Sequence, residues 1–245
     1  MKKVLIAIGV LLFLLVIVGV VALGYFGIIR LPGDIFQISK PTDLGVTSSQ
    51  EEYQAFIEKT QSQVLPYEQA SAELQATNPS IIFTEPKDYE ATYTSSEITS
   101  RINYASWASM PSKNVQVKFS DGGVIEASGN LITANLQSFA TAAGNAGYSD
   151  EDVQKGLDWL NKLASDPSFY IKATAEITNN ELTLNTQSIK INRIPLPSGQ
   201  ANDALIFITE HLIKSVSGLN AEKATFSDEG YYFKGQAPSV IYSTK

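Results

Sequence analysis

The chain has 245 residues, no cysteine, one histidine and a net charge of −7. Those counts exclude disulfides, thiolate metal sites and a cysteine nucleophile, and they leave a zinc centre, which needs about three or four ligands in one place, without its usual donors. From residue 30 on, 16 basic residues face 25 acids, a balance of −9 that suits neither phosphate neutralisation on nucleic acid nor a polybasic grip on anionic lipid.

Val4 to Ile29 carries no charge and reads VLIAIGVLLFLLVIVGVVALGYFGII. A bilayer core about 30 Å thick needs roughly 20 apolar residues, so residues 1–30 are expected to be a transmembrane anchor with a short cytoplasmic N-terminus. A secretory signal peptide has an apolar core of roughly 7–15 residues followed by a small-x-small cleavage site. Here the core is longer, and Ala22, Gly24 and Gly27 stand among Leu23, Tyr25 and Phe26. Lys2 and Lys3 precede the span; Arg30 and Lys40 follow it, with Asp34 between them. That bias places the N-terminus inside. The expectation is a single-pass cell-membrane protein whose residues 47–245 form one α+β domain outside the cytoplasm. Residues 31–46, with Pro32, Gly33, Pro41 and Gly45, are its juxtamembrane linker.

Ser48-Ser49-Gln50-Glu51 has the form of a capping box, with Tyr53, Phe56, Ile57, Thr60 and Val64 following at helical spacing. The helix is expected to kink or restart at Pro66, running on through the Ala/Gln/Glu-rich stretch to Thr77. Residues 79–93 read as extended or loop. Thr94 and Glu97 make a second capping box, opening a short helix with Ile98, Ile102 and Ala105 inward. Val115, Val117 and Phe119 alternate with polar residues up to the Asp121-Gly122-Gly123 turn, and Val124–Leu131 returns as a hairpin. Residues 136–165 read as two helices, the second capped at Ser149 or Asp150 with Val153, Leu157, Leu160 and Ala164 inward. Phe169–Thr178 and Glu181–Ile191 form a hairpin around Asn179-Asn180, a pair that tolerates the positive φ of a type I′ turn. A helix over 202–217 follows, then a hairpin of 224–226 and 231–235.

Phe119-Ser120-Asp121-Gly122-Gly123 is echoed by Phe226-Ser227-Asp228-Glu229-Gly230. Each copy follows a helix and a strand and precedes a strand ending in glycine, Gly129 or Gly235. Two similar turns explain this as readily as a structural repeat. The element order gives a curved antiparallel sheet of about six strands, built of hairpins and packed on amphipathic helices.

Few residues suggest chemistry. His211 falls at the edge of the polar face of the 202–217 helix and reads as an ordinary solvated residue rather than a base. Asp150-Glu151-Asp152 fails the EF-hand spacing because Lys155 stands where glycine belongs, and it reads as a charged helix N-terminus. Nucleophile-elbow, metalloprotease, dinucleotide and P-loop motifs are absent. No catalytic residue, metal ligand or cofactor is expected. Phe207 projects from the polar face of its helix, as a partner contact or a singly exposed aromatic.

The pieces VKFSDGGVIEASGNL, ELTLNTQSIKINRIPLP and TFSDEGYYFKGQAP resemble the YpmS-like and LmeA-like membrane-anchored bacterial proteins, whose domains are of the tubular lipid-binding type. The resemblance covers roughly residues 94–240 and implies handling of a lipid or other apolar envelope molecule. The groove would draw on Phe169, Ile171, Leu182, Leu184, Leu205, Leu212, Tyr231 and Phe233. Two other readings stay open: a tethered domain that docks another envelope protein, and a hydrolase with an unrecognised site.

Overall fold

The computed structural model describes residues 39–142 and 166–245, with 149, 151, 154–156 and 158 between them; the side chains at 198, 200, 201, 204, 207, 208 and 212 are outside the description. The anchor expected at 4–29 and the inward residues of the second helix of 136–165 therefore fall outside the described residues. Among the described residues no helix is long and apolar enough to cross a membrane. The later part of the linker is bound to the domain: Leu44 N–H donates to Gln116 Oε1 at 2.7 Å, and Asn130 Nδ2 donates to the Ser39 carbonyl at 2.6 Å.

Helix α1 (Gln50–Thr60) is capped by Ser49, one residue later than expected, whose hydroxyl accepts from Glu52 N–H at 3.2 Å. Gln61 in the left-handed region, φ 50°, ends it. The expected kinked continuation does not form. Gln63–Pro66 is instead strand β1, and a 3₁₀ turn at Tyr67–Gln69 and the one-turn helix α2 (Ala72–Gln75) follow. β1 is held by Val64 and Leu65 pairing with Ile241 and Tyr242 near the far end of the chain, hydrogen bonds that local spacing cannot reveal.

Of the two readings of residues 79–93, the extended one forms. Strand β2 (Ile81–Tyr93) pairs antiparallel with the last strand, from Ile81 opposite Ser243 to Tyr93 opposite Tyr231. Pro86 lies opposite Pro238, beside Glu85 at φ 53°, and Ser239 Oγ donates to the Glu85 carbonyl at 2.8 Å. Proline is tolerated within a ladder at such an irregularity.

The second capping box forms as expected. Thr94 N–H donates to Glu97 Oε2 at 2.8 Å and Glu97 N–H to Thr94 Oγ1 at 3.1 Å, opening α3 (Ser95–Asn103). Ile98 and Ile102 pack inward; Ala105 lies beyond the helix end. The hairpin β3 (Ser112–Ser120)–β4 (Val124–Leu131) leads to α4 (Thr133–Ala142). β5 (Ser168–Thr178) and β6 (Glu181–Ile191) turn at Asn179 and Asn180, φ 51° and 66°. A two-residue strand β7 (Ile194–Pro195) precedes α5 (Ser198–Ser215), then β8 (Asn220–Ser227) and β9 (Gly230–Ser243). β9 runs well past the expected 235.

The α+β class holds, with more strands than the hairpins suggest. The described residues form an open nine-stranded sheet in the order β1-β9-β8-β5-β4-β3, with β2 added on β9 and β6 on β5. It is mixed rather than antiparallel throughout, because β1 runs parallel to β9.

β3 ends the sheet, and its free edge is closed by side chains of α3. Phe119 N–H donates to Ser95 Oγ at 3.0 Å, Val117 N–H to Thr99 Oγ1 at 2.9 Å and Val115 N–H to Asn103 Oδ1 at 2.9 Å. The return bonds run from Thr99 Oγ1 to the Val117 carbonyl at 3.3 Å and from Asn103 Nδ2 to the Val115 carbonyl at 2.7 Å. The opposite faces of Val115, Val117 and Phe119 enter the core. A second cluster, Tyr93, Ala221, Ala224, Phe233 and Ala237, joins it through Ile98 and Tyr231.

The two echoed turns touch each other. The Phe119 and Phe226 rings are 5.4 Å apart, and Asp228 N–H donates to Asp121 Oδ1 at 3.4 Å, across 107 residues. Equivalent positions thus meet, as they do about a local two-fold axis. The turns themselves differ: the first includes Gly122 and Gly123 at φ 74° and 75°, and the second closes in two residues.

Two outcomes follow from the edge and the core. Thr99→Val keeps shape but strips both bonds from a buried main-chain unit, and is expected to cost about 1–3 kcal/mol in denaturant unfolding, with Thr99→Ser recovering most of it. Burial raises the phenols of Tyr93 and Tyr231 above their ordinary range. Folded values above the unfolded one give stability that is complete below about pH 10 and declines as pH rises beyond it. Unfolding free energy measured from pH 8 to 11 should fall, and fall less in Tyr93→Phe.

Candidate functional site

The segment 104–111, YASWASMP, has no helical or strand periodicity and is sewn down from three sides. Ala108 N–H donates to the Thr244 carbonyl at 3.0 Å, and Ser243 Oγ to the Ser106 carbonyl at 3.3 Å. Asn135 Nδ2, in the first turn of α4, reaches the carbonyls of Ala108 and Met110 at 3.0 and 2.9 Å. These bonds fix Trp107, whose ring lies 5.8 Å from that of Phe139.

Trp107, Ile81 and Phe83 form a wall shared by two cavities. One, of about 380 Å³, is completed chiefly by Leu74, Phe139 and Val216. The other, of about 310 Å³, is completed by Tyr53, Val64, Ile102, Met110 and Ile241, together with Arg101. Both fall in the range of about 300–1,000 Å³ usual for small-molecule pockets, and both are mostly apolar, as such pockets are. The indole Nε1 of Trp107 is buried and has no hydrogen-bond partner.

Arg101 is the one charged residue in the wall of the smaller cavity. It is half-buried, and its guanidinium lies 5.8 Å from the Phe56 ring, with no ion pair among the described residues. Burial lowers its pKa, although a guanidinium stays protonated at any ordinary pH. The nearest acid in sequence on the same helix, Glu97, is committed elsewhere. It pairs with Lys59 at 2.7 Å and accepts the Thr94 N–H.

A larger hollow of about 510 Å³ lies on the other side of α3, against β3. Its polar groups are already engaged: Thr99 and Asn103 in the edge ladder, Gln116 with Leu44, and Lys113 with Asp166 at 2.6 Å. It is a seam between elements and offers few free groups to a ligand.

No family model matches the chain, and neither does any curated protein or solved structure. The chemistry of the site therefore rests on its own residues.

The residues expected to line a groove lie in the aromatic core, in the β4–β5–β6 ladder and on α5. Tyr231 and Phe233 belong to the aromatic core; Phe233 is 4% exposed and Tyr231 stacks on Phe226 at 5.0 Å. Phe169 covers Gly129, where an added Cβ would come within 2.9 Å of its ring. Ile171 pairs with Ile189 and Ala127, Leu182 with Ile177, and Leu184 with Ala175, all half-buried in the β4–β5–β6 ladder. Leu205 is half-buried on α5, which packs on β6. The side chains of Leu212 and Phe207 lie outside the description. None of the seven described groove candidates lines either cavity beside Trp107.

His211 is half-buried on α5. Glu151, the one described member of the acidic run, pairs with Lys155 at 2.7 Å, one turn along. Among the described residues no group of His, Cys, Asp and Glu could hold a metal ion.

An arginine taken partly out of water without a counter-ion destabilises the fold that holds it. Arg101→Met is therefore expected to raise unfolding free energy by about 1 kcal/mol, after loss of the Phe56 contact is offset. A lower denaturant midpoint for Arg101→Met would show that the charge is paid for within the fold.

Proposed function

We propose that the chain is a membrane-anchored, extracytoplasmic and non-catalytic binding module for a lipid or another apolar envelope molecule. Residues 4–29 are its anchor, with the N-terminus in the cytoplasm. The observation that carries this reading is the pair of apolar cavities on either side of Trp107. Both hollows open to solvent, so their apolar walls meet water that an apolar guest would displace. Two adjoining cavities sharing three large apolar residues suit an apolar guest better than an ordinary core. The position of the smaller one also suits it, because its wall combines α1, β1, β2, α3, β9 and the 104–111 segment. The tether would keep such a module within reach of its source of ligand, the lipid surface.

Photolabelling of the full-length protein in phosphatidylcholine nanodiscs tests this. With a single-chain lipid carrying a diazirine in its acyl chain, adducts are expected on Ile81, Phe83, Trp107 or Met110 and should be diminished in Ala105→Phe, which fills the smaller cavity. Adducts confined to residues 4–29, with none on the cavity walls, would reject the reading.

A further inference from the structure

We infer that the Arg101 side of the cavity is a headgroup site, selecting amphiphiles with one acyl chain and an anionic carboxylate or phosphate head. The inference rests on the apolar-ligand reading above and adds the chemistry that end of the ligand must carry.

The first support is an imbalance. The chain has 25 acids against 18 lysines and arginines. Five exposed lysines pair with acids, Lys59 with Glu97, Lys113 with Asp166, Lys155 with Glu151, Lys214 with Glu210 and Lys234 with Glu222, while Lys40, Lys87, Lys118, Lys190 and Lys223, which have no ion pair among the described residues, are exposed to water. Arg101 has no such pair among the described residues, although it is more enclosed than those surface lysines and Glu97 stands one turn before it. A charge held in an apolar wall normally has a partner. Arg101 lines the cavity, and an anion bound there would be its counter-ion.

The second support is the type of donor. Guanidinium presents a planar fork that matches the two oxygens of a carboxylate or phosphate, which lysine cannot do. The wall is otherwise apolar apart from the hydroxyls of Tyr53, Ser106 and Ser243, the last of which donates to the Ser106 carbonyl. One polar end and an apolar remainder describe an amphiphile rather than a sugar or a peptide.

The third support is size. A cavity of about 310 Å³ lies at the low end of the small-molecule range of about 300–1,000 Å³, which favours one chain over two.

Three diazirine probes with the same acyl chain separate the possibilities on full-length protein in phosphatidylcholine nanodiscs at pH 8: a fatty acid, a lysophosphatidic acid and an uncharged monoacylglycerol. The anionic probes should label Ile81, Phe83 or Met110 about tenfold more efficiently than the neutral one. Arg101→Gln should bring them down to the neutral level while monoacylglycerol labelling is unchanged, which shows the cavity intact. Arg101→Lys, which keeps the charge and loses the fork, should fall between. Preference for the fatty acid or for the lysophosphatidic acid identifies the head as carboxylate or phosphate. Equal cavity labelling by all three probes, unaffected at Arg101, overturns the headgroup site and leaves the apolar-ligand reading standing. Absence of cavity labelling by any probe overturns both.

Discussion

The structure depends on how one short helix closes the edge of one strand. Ser95, Thr99 and Asn103 lie four residues apart on α3, about 6.0 Å per step of helix rise. They meet Phe119, Val117 and Val115, two residues apart on β3, about 6.6 Å per step. The near match lets three side chains take the place of a neighbouring strand, satisfying main-chain groups that would otherwise face a partner chain. It also fixes the rotation of α3. With that side on the strand, Ile98 and Ile102 point into the core, Ser100 accepts the Ser49 N–H that starts α1 at 3.0 Å, and Glu97 reaches Lys59. Arg101, one turn beyond Glu97, is then left in the cavity wall. Nine residues of helix therefore use every side, and the position of the candidate site follows from the ladder.

β9 supplies the second constraint. One of its edges is covered by β2 and the other by β8 and then β1. Its end, near Ile241 and Ser243, also forms one side of the smaller cavity and holds the 104–111 segment. Gly235, at φ 147°, sits where β8 passes so closely that an added Cβ would lie 2.1 Å from the Asn220 carbonyl oxygen. Only glycine lets the strand stay paired on both sides at that point.

Features determined by neighbours in sequence were legible. The Thr94–Glu97 box, the Asn179-Asn180 turn and the Val115–Phe119 alternation each carry their own chemistry within a few residues, and each forms. The Phe-Ser-Asp echo was legible as a pattern, and its two copies meet. What was not legible depends on distant pairing. β1 exists because Val64 meets Ile241, and nothing near Pro66 announces it. β2 and the second half of β9 were hidden by Pro86 and Pro238, residues that argue against a strand until they are seen facing each other. The candidate site was missed for the same reason. Ile81 and Phe83 lie in a stretch whose sequence fits a strand or a loop, and Trp107 in one without periodicity. Tyr231 and Phe233 enter the expected groove through the resemblance, and apolar residues at such positions line a groove and fill a core alike.

The long β2–β9 pair also sets an order of events. Thr84 Oγ1 donates to the Val240 carbonyl at a separation of 156 residues. As the chain is made from its N-terminus, Ile81–Tyr93 emerges early and must wait, unpaired, for almost the final residue. During that interval a thirteen-residue edge containing Ile81, Ile82 and Phe83 has no mate, the condition in which strands find the wrong one. Contacts so far apart in sequence are slow to close. The side of the domain that holds the smaller cavity thus depends on Val240–Ser243, which pair with β1 and place Ile241 and Ser243 in the cavity wall.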